Sequence, residues 1–575
     1  MDFLLHEWLR LESVLSRPRF AEHGRETIDA FIDLSETLAL DAFLPLFKAS
    51  DVREPWLDDD GVHILPAVGE ALRQYAELGF FAAGFAPELG GLGLPHTACM
   101  ASFAYFAAAS VATAAYPMLT VANARLIAAF GSPTQIQAFA LPQVAGRWFG
   151  TMCLSEPQAG SSLADVRTRA VADGEDDFGA RYRLTGNKMW ISGGDQDASE
   201  NIVHLVLAKV PEAGGALPQG TEGLSLFIVP KVMPDGLRND VAVAGLNHKM
   251  GYRATSNCLL NLGETVGATG WMVGEPGLGL KQMFMMMNEA RIVVGLGAAA
   301  VGYRGYRHAV QYARERLQGR ASGQPGGEPV AIVEHADVKR MLLAQKAYAE
   351  GALALCLYCA KLVDEQHDAD SAALLGLLTP VAKTWPSEFG LAANDLAIQV
   401  HGGYGYTRDF DVEQLYRDNR LNAIHEGTTG MQANDLVGRK VLRGGAGVDV
   451  LKRRIGQTAG RAAASARFAR EADALVDAWA RIDLVIAALR DAGGASALHN
   501  AGNFLSAFGH GVLAWLWLDQ ALAADALDAQ ESDFAEGKRR ACHYFFEFEL
   551  PRIAAWLAPV EARSGLIAST PAAIF

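Results

Sequence analysis

The length, composition and net charge of this chain exclude several classes of protein. Its 575 residues exceed what one hydrophobic core supports, so we expect several domains. Half of the residues are hydrophobic, and the formal net charge of −15 argues against nucleic acid or an anionic membrane as the main partner. The six cysteines are scattered, which is typical of a reduced protein without a disulfide framework. We therefore expect a cytoplasmic location.

The Cys356–Cys359 pair has C-x-x-C spacing in an Ala/Leu-rich helical segment. The chain has no second such pair and no nearby histidine at ligand spacing, so we interpret both cysteines as core residues and predict no metal site.

The first 150 residues predict a helical domain. Apolar residues recur at helical spacing near the N-terminus, which lacks the basic stretch and cleavage site of a signal peptide. Ala98–Tyr116 is uncharged and long enough to be a membrane-span candidate, but Ala, Ser and Thr dominate it, so we expect a buried helix and no transmembrane segment. Pro117 and Gly131-Ser-Pro133 are expected to break the helical segments, which are 65–79, 98–115, 118–130 and 134–145.

The pattern changes near residue 150. Three segments alternate or are continuously apolar and are separated by turn residues, which indicates strands of a small antiparallel barrel or sandwich: 182–192, 202–208 and 224–230. The segment from Cys258 to Leu262 is expected to be the last strand.

Helical character returns near Leu280 and continues to about Gly444, interrupted by an exposed loop at 323–329. A further helical block covers about 450–575. The resulting fold class is α+β, mainly α. The predicted domains are an N-terminal all-α domain, a middle β domain, a C-terminal helical domain and an additional helical domain, at 1–150, 151–277, 278–446 and 447–575.

A G-x-G-x-x-A sequence begins at Gly295, and Glu315 follows twenty residues later. That spacing matches a dinucleotide-binding fingerprint, which requires a strand on each side of its helix. Here both flanks are helical. The sequence therefore predicts close helix packing at these glycines rather than a nicotinamide site.

Glu426 is the first candidate for a reactive side chain. It lies in a loop and is followed at once by Gly427. Glycine permits backbone conformations that other residues avoid, and such loops hold reactive side chains in fixed positions. The alternative is an acid at a helix N-terminus, stabilised by the helix dipole.

This loop and four further motifs resemble the acyl-CoA dehydrogenase family over residues 60–445. The motifs occur in the order and at the separations of the family: 152–161, 188–192, 288–292, 312–319 and 399–432. The resemblance implies a β-barrel domain between an N-terminal helical domain and a C-terminal four-helix bundle. It also implies FAD as cofactor and oxidation of an acyl-CoA thioester to the trans-2-enoyl-CoA.

The resemblance assigns site residues position by position. Those in the middle domain that would contact the flavin are Met152, Leu154, Ser155, Gly160, Ser161, Trp190, Ile191 and Ser192. Those in the helical domain that would contact FAD, in part the FAD of a neighbouring subunit, are Arg316, Gln318, Gln399, Gly402, Gly403, Thr428 and Gln432. Those assigned to the substrate are Ser161, Arg291 and Gly427.

Two positions depart from the common family pattern. Ser162 stands where Asp or Asn is frequent, and Leu317-Gln318-Gly319 replaces Thr-Phe-Gly, which weakens the assignment of Gln318.

The resemblance implies that Glu426 removes the α-proton while the flavin N5 takes the β-hydride. The thioester oxygen would accept hydrogen bonds from a ribityl hydroxyl and from the backbone N–H of Glu426. An electron-transferring flavoprotein would be the electron acceptor, and a cross-subunit FAD site implies a homo-oligomer, most simply a homodimer.

The block at 447–575 points to the long branch of the family, which includes 3-(methylthio)propanoyl-CoA dehydrogenases. Two other functions stay open: an acyl-CoA oxidase, and a non-catalytic or DNA-associated flavoprotein of the same fold. DNA binding would need a basic face, and the charges of this block nearly balance, although Lys538-Arg-Arg540 forms a small cluster. A nitroalkane oxidase would normally carry Asp at position 426.

Overall fold

A computed structural model describes residues 1–323, 326–527 and 532–575, without the side chains of residues 285–288 and Ser532. The helices are α1 (Glu12–Leu15), α2 (Arg25–Leu38), α3 (Leu46–Val52), α4 (Pro66–Glu77), α5 (His96–Phe130), α6 (Pro133–Gln135), α7 (Leu141–Val144), α8 (Gly279–Glu315), α9 (Ala336–Asp364), α10 (Ala369–His401), α11 (Val412–Asn419), α12 (Thr429–Asp435), α13 (Ala446–Ala463), α14 (Ala469–Ala492), α15 (Ala501–Asp525), α16 (Ser532–Tyr544), α17 (Arg552–Glu561) and α18 (Leu566–Ser569). The strands are β1 (Trp56–Asp58), β2 (Gly61–His63), β3 (Trp148–Cys153), β4 (Arg169–Asp176), β5 (Gly179–Ser192), β6 (Asn201–Lys209), β7 (Leu224–Pro230), β8 (Val241–Leu246), β9 (Asn257–Leu262), β10 (Ala268–Met272), β11 (Leu317–Arg320) and β12 (Pro329–Ala331).

The mainly helical α+β fold predicted from the sequence is confirmed. The chain forms two compact units, Glu26–Ala290 and Met1–Arg25 with Arg291–Phe575. Each is described by itself, and the four predicted domain boundaries stay predictions. The side chain of Asn288, in one predicted motif, and Gln324 and Pro325, in the predicted 323–329 loop, lie outside the described residues.

The unit Glu26–Ala290 contains the predicted β domain. Its main sheet has the strand order β10–β7–β6–β4–β5–β9–β8, and β10 also pairs with β5, so five strands close on themselves. The expectation of a purely antiparallel sheet is wrong, because β3 runs parallel to β6. The expectation that β9 is the last strand is also wrong. Strand β10 follows it and is buried at every position, so it lacks the alternation that would have revealed it.

Helix α5 corrects the predicted break at Pro117. The helix continues through that proline, and its non-helical residue is Ser110, whose hydroxyl lies 2.9 Å from that of Thr113. The irregularity of the helix therefore lies at Ser110 and not at Pro117.

Two helices, α5 and α8, are long and apolar enough to cross a membrane. Their most apolar stretches are 83% and 71% buried within the protein, respectively. Core helices pass the same test, so these helices are weak evidence for a membrane span.

The unit with Arg291–Phe575 is built on α8, α9 and α10. Gly295, which opens the G-x-G-x-x-A sequence, permits the close helix packing that was predicted, and so does Gly302 beyond the motif. A Cβ at Gly295 would collide with the carbonyl of Ala382, and one at Gly302 would lie 3.0 Å from Gly390 Cα. The thiols of Cys356 and Cys359 are free and buried in α9, which confirms their role in the core.

The hairpin β11–β12 was not anticipated, because its four-residue first strand is exposed throughout and carries no apolar alternation. The predicted helical block at 450–575 is confirmed by α13 to α18. This block packs on α10 through Trp385, whose indole N–H donates to His510 Nδ1 at 3.0 Å. The 450–575 block thus forms part of the core around α10.

Candidate active site

The loop after β3 is fixed by a buried ion pair. The ammonium of Lys188 donates to Glu156 Oε1 at 2.9 Å, and also to the carbonyls of Leu154 and Leu207. The Glu156 carboxylate also accepts from Thr168. This arrangement lowers the pKa of Glu156 to about 2, against the effect of burial. Two motifs that were separate in the sequence therefore form one rigid element.

Trp190 lies in a β-bulge of β5. Lys188 pairs with Leu260 and Ile191 pairs with Cys258, so one extra residue is inserted in β5. Trp190 takes a φ of +65°, which is costly for a side chain with a Cβ, and its indole is 58% exposed. The bulge presents a large aromatic face to the surface, whereas Ile191 beside it is buried.

The other predicted residues of this unit lie on or beside the loop. Met152, Leu154 and Ser155 are partly buried, and Gly160 and Ser161 are exposed. Ser192 is partly buried and accepts from Asn257 Nδ2 at 3.1 Å. The unit thus brings all eight candidates onto the end of β3, the loop after it and strand β5.

Glu426 has a strained backbone. Its φ is +52°, and Gly427 after it has a φ of +87°. Gln432 donates to the carbonyl of Glu426 at 3.1 Å, and Thr428 caps the start of α12. Within the described part of the chain, the backbone N–H of Glu426 has no hydrogen-bond partner. Such strain is retained where the surrounding structure over-determines the conformation, which is frequent at active sites.

A chain of buried amides holds the segment before Glu426. Asn394 Nδ2 donates to a carbonyl of α8, and its Oδ1 accepts from Asn419 at 2.6 Å. Asn422 donates to Asn419 at 2.9 Å, and His425 Nε2 lies 3.1 Å from Asn422 Oδ1. These contacts fasten the loop to α8, α10 and α11, which fixes the position of Glu426.

Burial raises the pKa of Glu426, and the cations Lys383 and Arg291 oppose this rise. Arg291 is buried, and its Nη1 donates to Asp435 Oδ2 at 2.7 Å. The predicted contact of Arg291 with the substrate stays a prediction. A carboxyl group with a raised pKa is suited to general-base catalysis.

Two predicted FAD elements of this unit lie beside each other. Tyr312, one turn before Arg316, stacks on His401 with ring centroids 4.4 Å apart. This contact brings Arg316 towards the turn at the end of α10. The candidates exposed at this end of the unit are Arg316, Gln318, Gln399, Gly402 and Gly403. Of the residues after Glu426, Thr428 is exposed, Gly427 is partly buried and Gln432 is buried.

The residues of the middle domain fit a flavin. Trp190 offers a planar apolar face on β5, and the loop after β3, which accepts from Met189 N–H at Ser155, carries the hydroxyls of Ser155 and Ser161. A Cβ at Gly160 would have no atom within 4 Å, so there is open space beside the loop.

Sequence reasoning missed three elements of the site: the Glu156–Lys188 pair, the amide chain and Lys383. Lys383 carries the only charge between Asp370 and Glu388. A charge within such an apolar helix could have indicated it.

Four family models match the chain. They are the acyl-CoA dehydrogenase N-terminal domain at 52–147, middle domain at 151–264 and C-terminal domain at 277–441, and an acetyl-CoA dehydrogenase C-terminal-like domain at 451–571.

Two curated relatives cover most of the chain. 3-Methylmercaptopropionyl-CoA dehydrogenase of Ruegeria pomeroyi is 36% identical over 77% of this chain and 74% of its own. The broad-specificity linear acyl-CoA dehydrogenase FadE5 of Mycobacterium tuberculosis is 34% identical over 96% of this chain and 94% of its own.

Solved structures share the fold. ACDH-11 of Caenorhabditis elegans, in complex with C11-CoA, has a TM-score of 0.77 at 19% identity, covering 98% of this chain and 92% of that one. An acyl-CoA dehydrogenase of Bacillus anthracis complexed with FAD has a TM-score of 0.75 at 21% identity, covering 96% and 90%. The chain belongs to the acyl-CoA dehydrogenase family, whose members are FAD-dependent oxidoreductases.

Proposed function

We propose that this enzyme dehydrogenates an acyl-CoA thioester to the trans-2-enoyl-CoA with Glu426 as the general base. The observation that supports this most directly is the conformation of Glu426. A partly buried carboxyl group with a raised pKa is held at a φ of +52°, beside its own N–H, which has no hydrogen-bond partner among the described residues.

The backbone N–H and the carboxylate of Glu426 have complementary tasks. An α-proton of a thioester is weakly acidic, so negative charge that develops on the thioester oxygen needs a hydrogen-bond donor. The unbonded N–H of Glu426 would donate to that oxygen, and loss of one such donor typically costs about 10²–10³ in rate.

The carboxylate of Glu426 then takes the proton from Cα, and the electron pair of that bond forms the new double bond as hydride leaves Cβ. Bound FAD supplies the two-electron oxidant that accepts this hydride. Trp190 and the loop at 152–161 would hold that cofactor.

The test is anaerobic titration of the holoenzyme with acyl-CoAs while flavin absorbance is followed. We expect bleaching in the wild type and in Glu413→Gln, an acid on the preceding helix that pairs with Arg417. We expect none in Glu426→Gln with FAD still bound. Undiminished bleaching in Glu426→Gln would refute the assignment of the base.

We propose the substrate class, which is linear acyl-CoA or 3-(methylthio)propanoyl-CoA thioesters, from the names of the two relatives. A graded series of linear acyl-CoAs and 3-(methylthio)propanoyl-CoA should include at least one thioester that bleaches the flavin. If none does so although FAD is present stoichiometrically, the dehydrogenase function fails. Rapid reoxidation of the reduced flavin by oxygen would instead indicate an oxidase.

We also propose a homodimer with FAD shared between subunits, and an electron-transferring flavoprotein as acceptor. The exposed cluster around Arg316 and Gly402 supports the dimer, because its residues lie at the surface, where a second chain could contact them. Arg316→Ala should lower FAD retention, and sedimentation should give twice the chain mass. A monomer with full FAD content would contradict this.

A cytoplasmic location stays a prediction.

The basic cluster at Lys538 does not support DNA binding. Lys538 is buried and lies 2.8 Å from Glu350, and Arg539 and Arg540 both pair with Glu536.

A further inference from the structure

Lys383 carries a buried ammonium group. The residue lies in α10 with its side chain buried, and its Nζ has no hydrogen-bond partner in the described ranges of the chain. Burying an unpaired cation is costly, so such a group calls for a nearby anion.

The turn of α10 that carries Lys383 is fastened to the segment before Glu426. The hydroxyl of Ser387 lies 2.6 Å from the carbonyl of Lys383 and 3.0 Å from that of Asn422. Asn422 is in turn bonded to His425, the residue before Glu426. A contiguous set of contacts therefore connects the backbone of Lys383 with the Glu426 loop.

Among the described residues, the charges that act on the ammonium of Lys383 are those of Glu426, Glu388 and Arg291. Glu388 is exposed and accepts from Thr429, so water weakens its attraction for the ammonium. Arg291 is already paired with Asp435. Among the described residues, another titratable group that interacts with Lys383 is His425, whose pKa is lowered to about 3 by burial, so its ring is neutral at ordinary pH. Glu426 is therefore the principal counter-charge of Lys383.

We propose that Lys383 is a positioning residue for Glu426, whose buried ammonium keeps the Glu426 side chain ionised and oriented so that it can accept the α-proton. The proposal rests on the role of Glu426 as base. Burial alone would favour the neutral carboxylic acid form of Glu426, which cannot accept a proton. The proposal explains why the enzyme retains a buried cation at position 383.

The first test measures the pH dependence of flavin reduction in the holoenzyme. In Lys383→Met we expect the acid limb of the rate profile to move upward by about one pH unit, because a neighbouring cation typically lowers a carboxyl pKa by about 1–3 units. Lys440→Met is the matched control, because the charges that act on Lys440 among the described residues are those of Asp435, Arg439 and Arg291, and not that of Glu426. An unmoved acid limb in Lys383→Met would overturn the proposal.

The second test needs no catalysis. Thermal unfolding of Lys383→Met, Glu426→Gln and the double variant gives a double-mutant cycle. We expect removal of Lys383 to cost less stability once Glu426 is neutral, and additive changes would overturn the proposal. If Lys383→Met does not fold, Lys383→Gln replaces it.

The two tests separate failure of this proposal from failure of the proposed function. If Glu426→Gln still reduces its flavin, the assignment of the base fails, and the unfolding cycle still decides whether the two side chains interact. If Glu426→Gln is inactive but the cycle is additive and the acid limb is unmoved, only the role of Lys383 fails.

Discussion

Lys188 and Glu156 form a buried ion pair, with Nζ and Oε1 2.9 Å apart, that connects strand β5 to the loop after β3. Burial lowers the pKa of Lys188 although the charge of Glu156 opposes this effect, so burying the pair carries a large desolvation penalty. The pair fixes the position of the loop after β3. Either charge would strongly destabilise the fold if it were buried without the other.

Removing one partner should therefore be severe. We expect Glu156→Gln to destabilise the protein by about 3–5 kcal/mol, since a buried ammonium is left uncompensated. Urea unfolding measures this, with Glu200→Gln as control, because Glu200 pairs with Arg147 on the surface. The pKa of Glu156 is depressed to about 2, so the contribution of its charge is present above about pH 4.5 and is lost as the pH falls towards 2. Equal effects of the two substitutions would contradict this reasoning.

Trp190 allows backbone strain to be separated from cofactor binding. Both Trp190→Gly and Trp190→Ala remove the indole, but glycine accepts a φ of +65° without the steric cost. We expect the glycine variant of the apoprotein to be more stable than the alanine variant by about 1 kcal/mol. Both should retain less FAD than the wild type in equilibrium titrations. Equal stabilities would show that the bulge relaxes.

The amide chain should affect both stability and rate. Asn419 donates to the carbonyl of Ala298 and to Asn394, so Asn419→Ala leaves buried acceptors unsatisfied. We expect a loss of about 1–3 kcal/mol and a larger fall in the rate of flavin reduction than in FAD content. Asn187→Ala, at an exposed side-chain pair with Asn261, should cost under about 0.5 kcal/mol. Normal catalysis in Asn419→Ala would show that the chain does not position Glu426.

The carboxylate of Glu549 connects the 450–575 block to α9. It accepts hydrogen bonds from Tyr348 and Arg552, both at 2.7 Å, and its other neighbour is His510, 3.5 Å away. We expect Glu549→Gln to lower the thermal midpoint well below that of Glu561→Gln, because Glu561 pairs with Arg481 in solvent, where such pairs contribute about 0–1 kcal/mol. Similar midpoints would mean that the block is held by apolar packing alone.

Two histidines with strongly lowered pKa values should make the fold acid-sensitive. Burial lowers the pKa of His204 and of His425 to about 3, from an ordinary 6.5. The unfolded chain binds protons below about pH 6.5 where the folded chain does not, so stability falls as the pH decreases from 6.5 towards 3. Each group contributes about 1.4 kcal/mol per pH unit in that window. The thermal midpoint of His204→Gln should depend less steeply on pH than that of the wild type, while the exposed His367→Gln should match the wild type.

The sequence by itself determined the fold class, the family and the candidate residues. Helical and strand periodicities are local properties, so most helices and the apolar strands could be located from spacing alone. The fully buried strand β10 and the exposed hairpin β11–β12 carry no such periodicity and were missed. The motif around Glu426 pointed to a reactive loop because a glutamate followed by glycine is unfavourable within a helix.

Only the tertiary structure decided how those residues are held. The pairing of Lys188 with Glu156, the bulge at Trp190 and the amide chain from Asn394 to His425 join positions that are distant in sequence or depend on strand register. The electrostatic environment of Glu426 was also undetermined, because a pKa depends on burial and on charges brought close by packing, here those of Lys383 and Arg291. These charges come close to Glu426 only when the helices pack against one another.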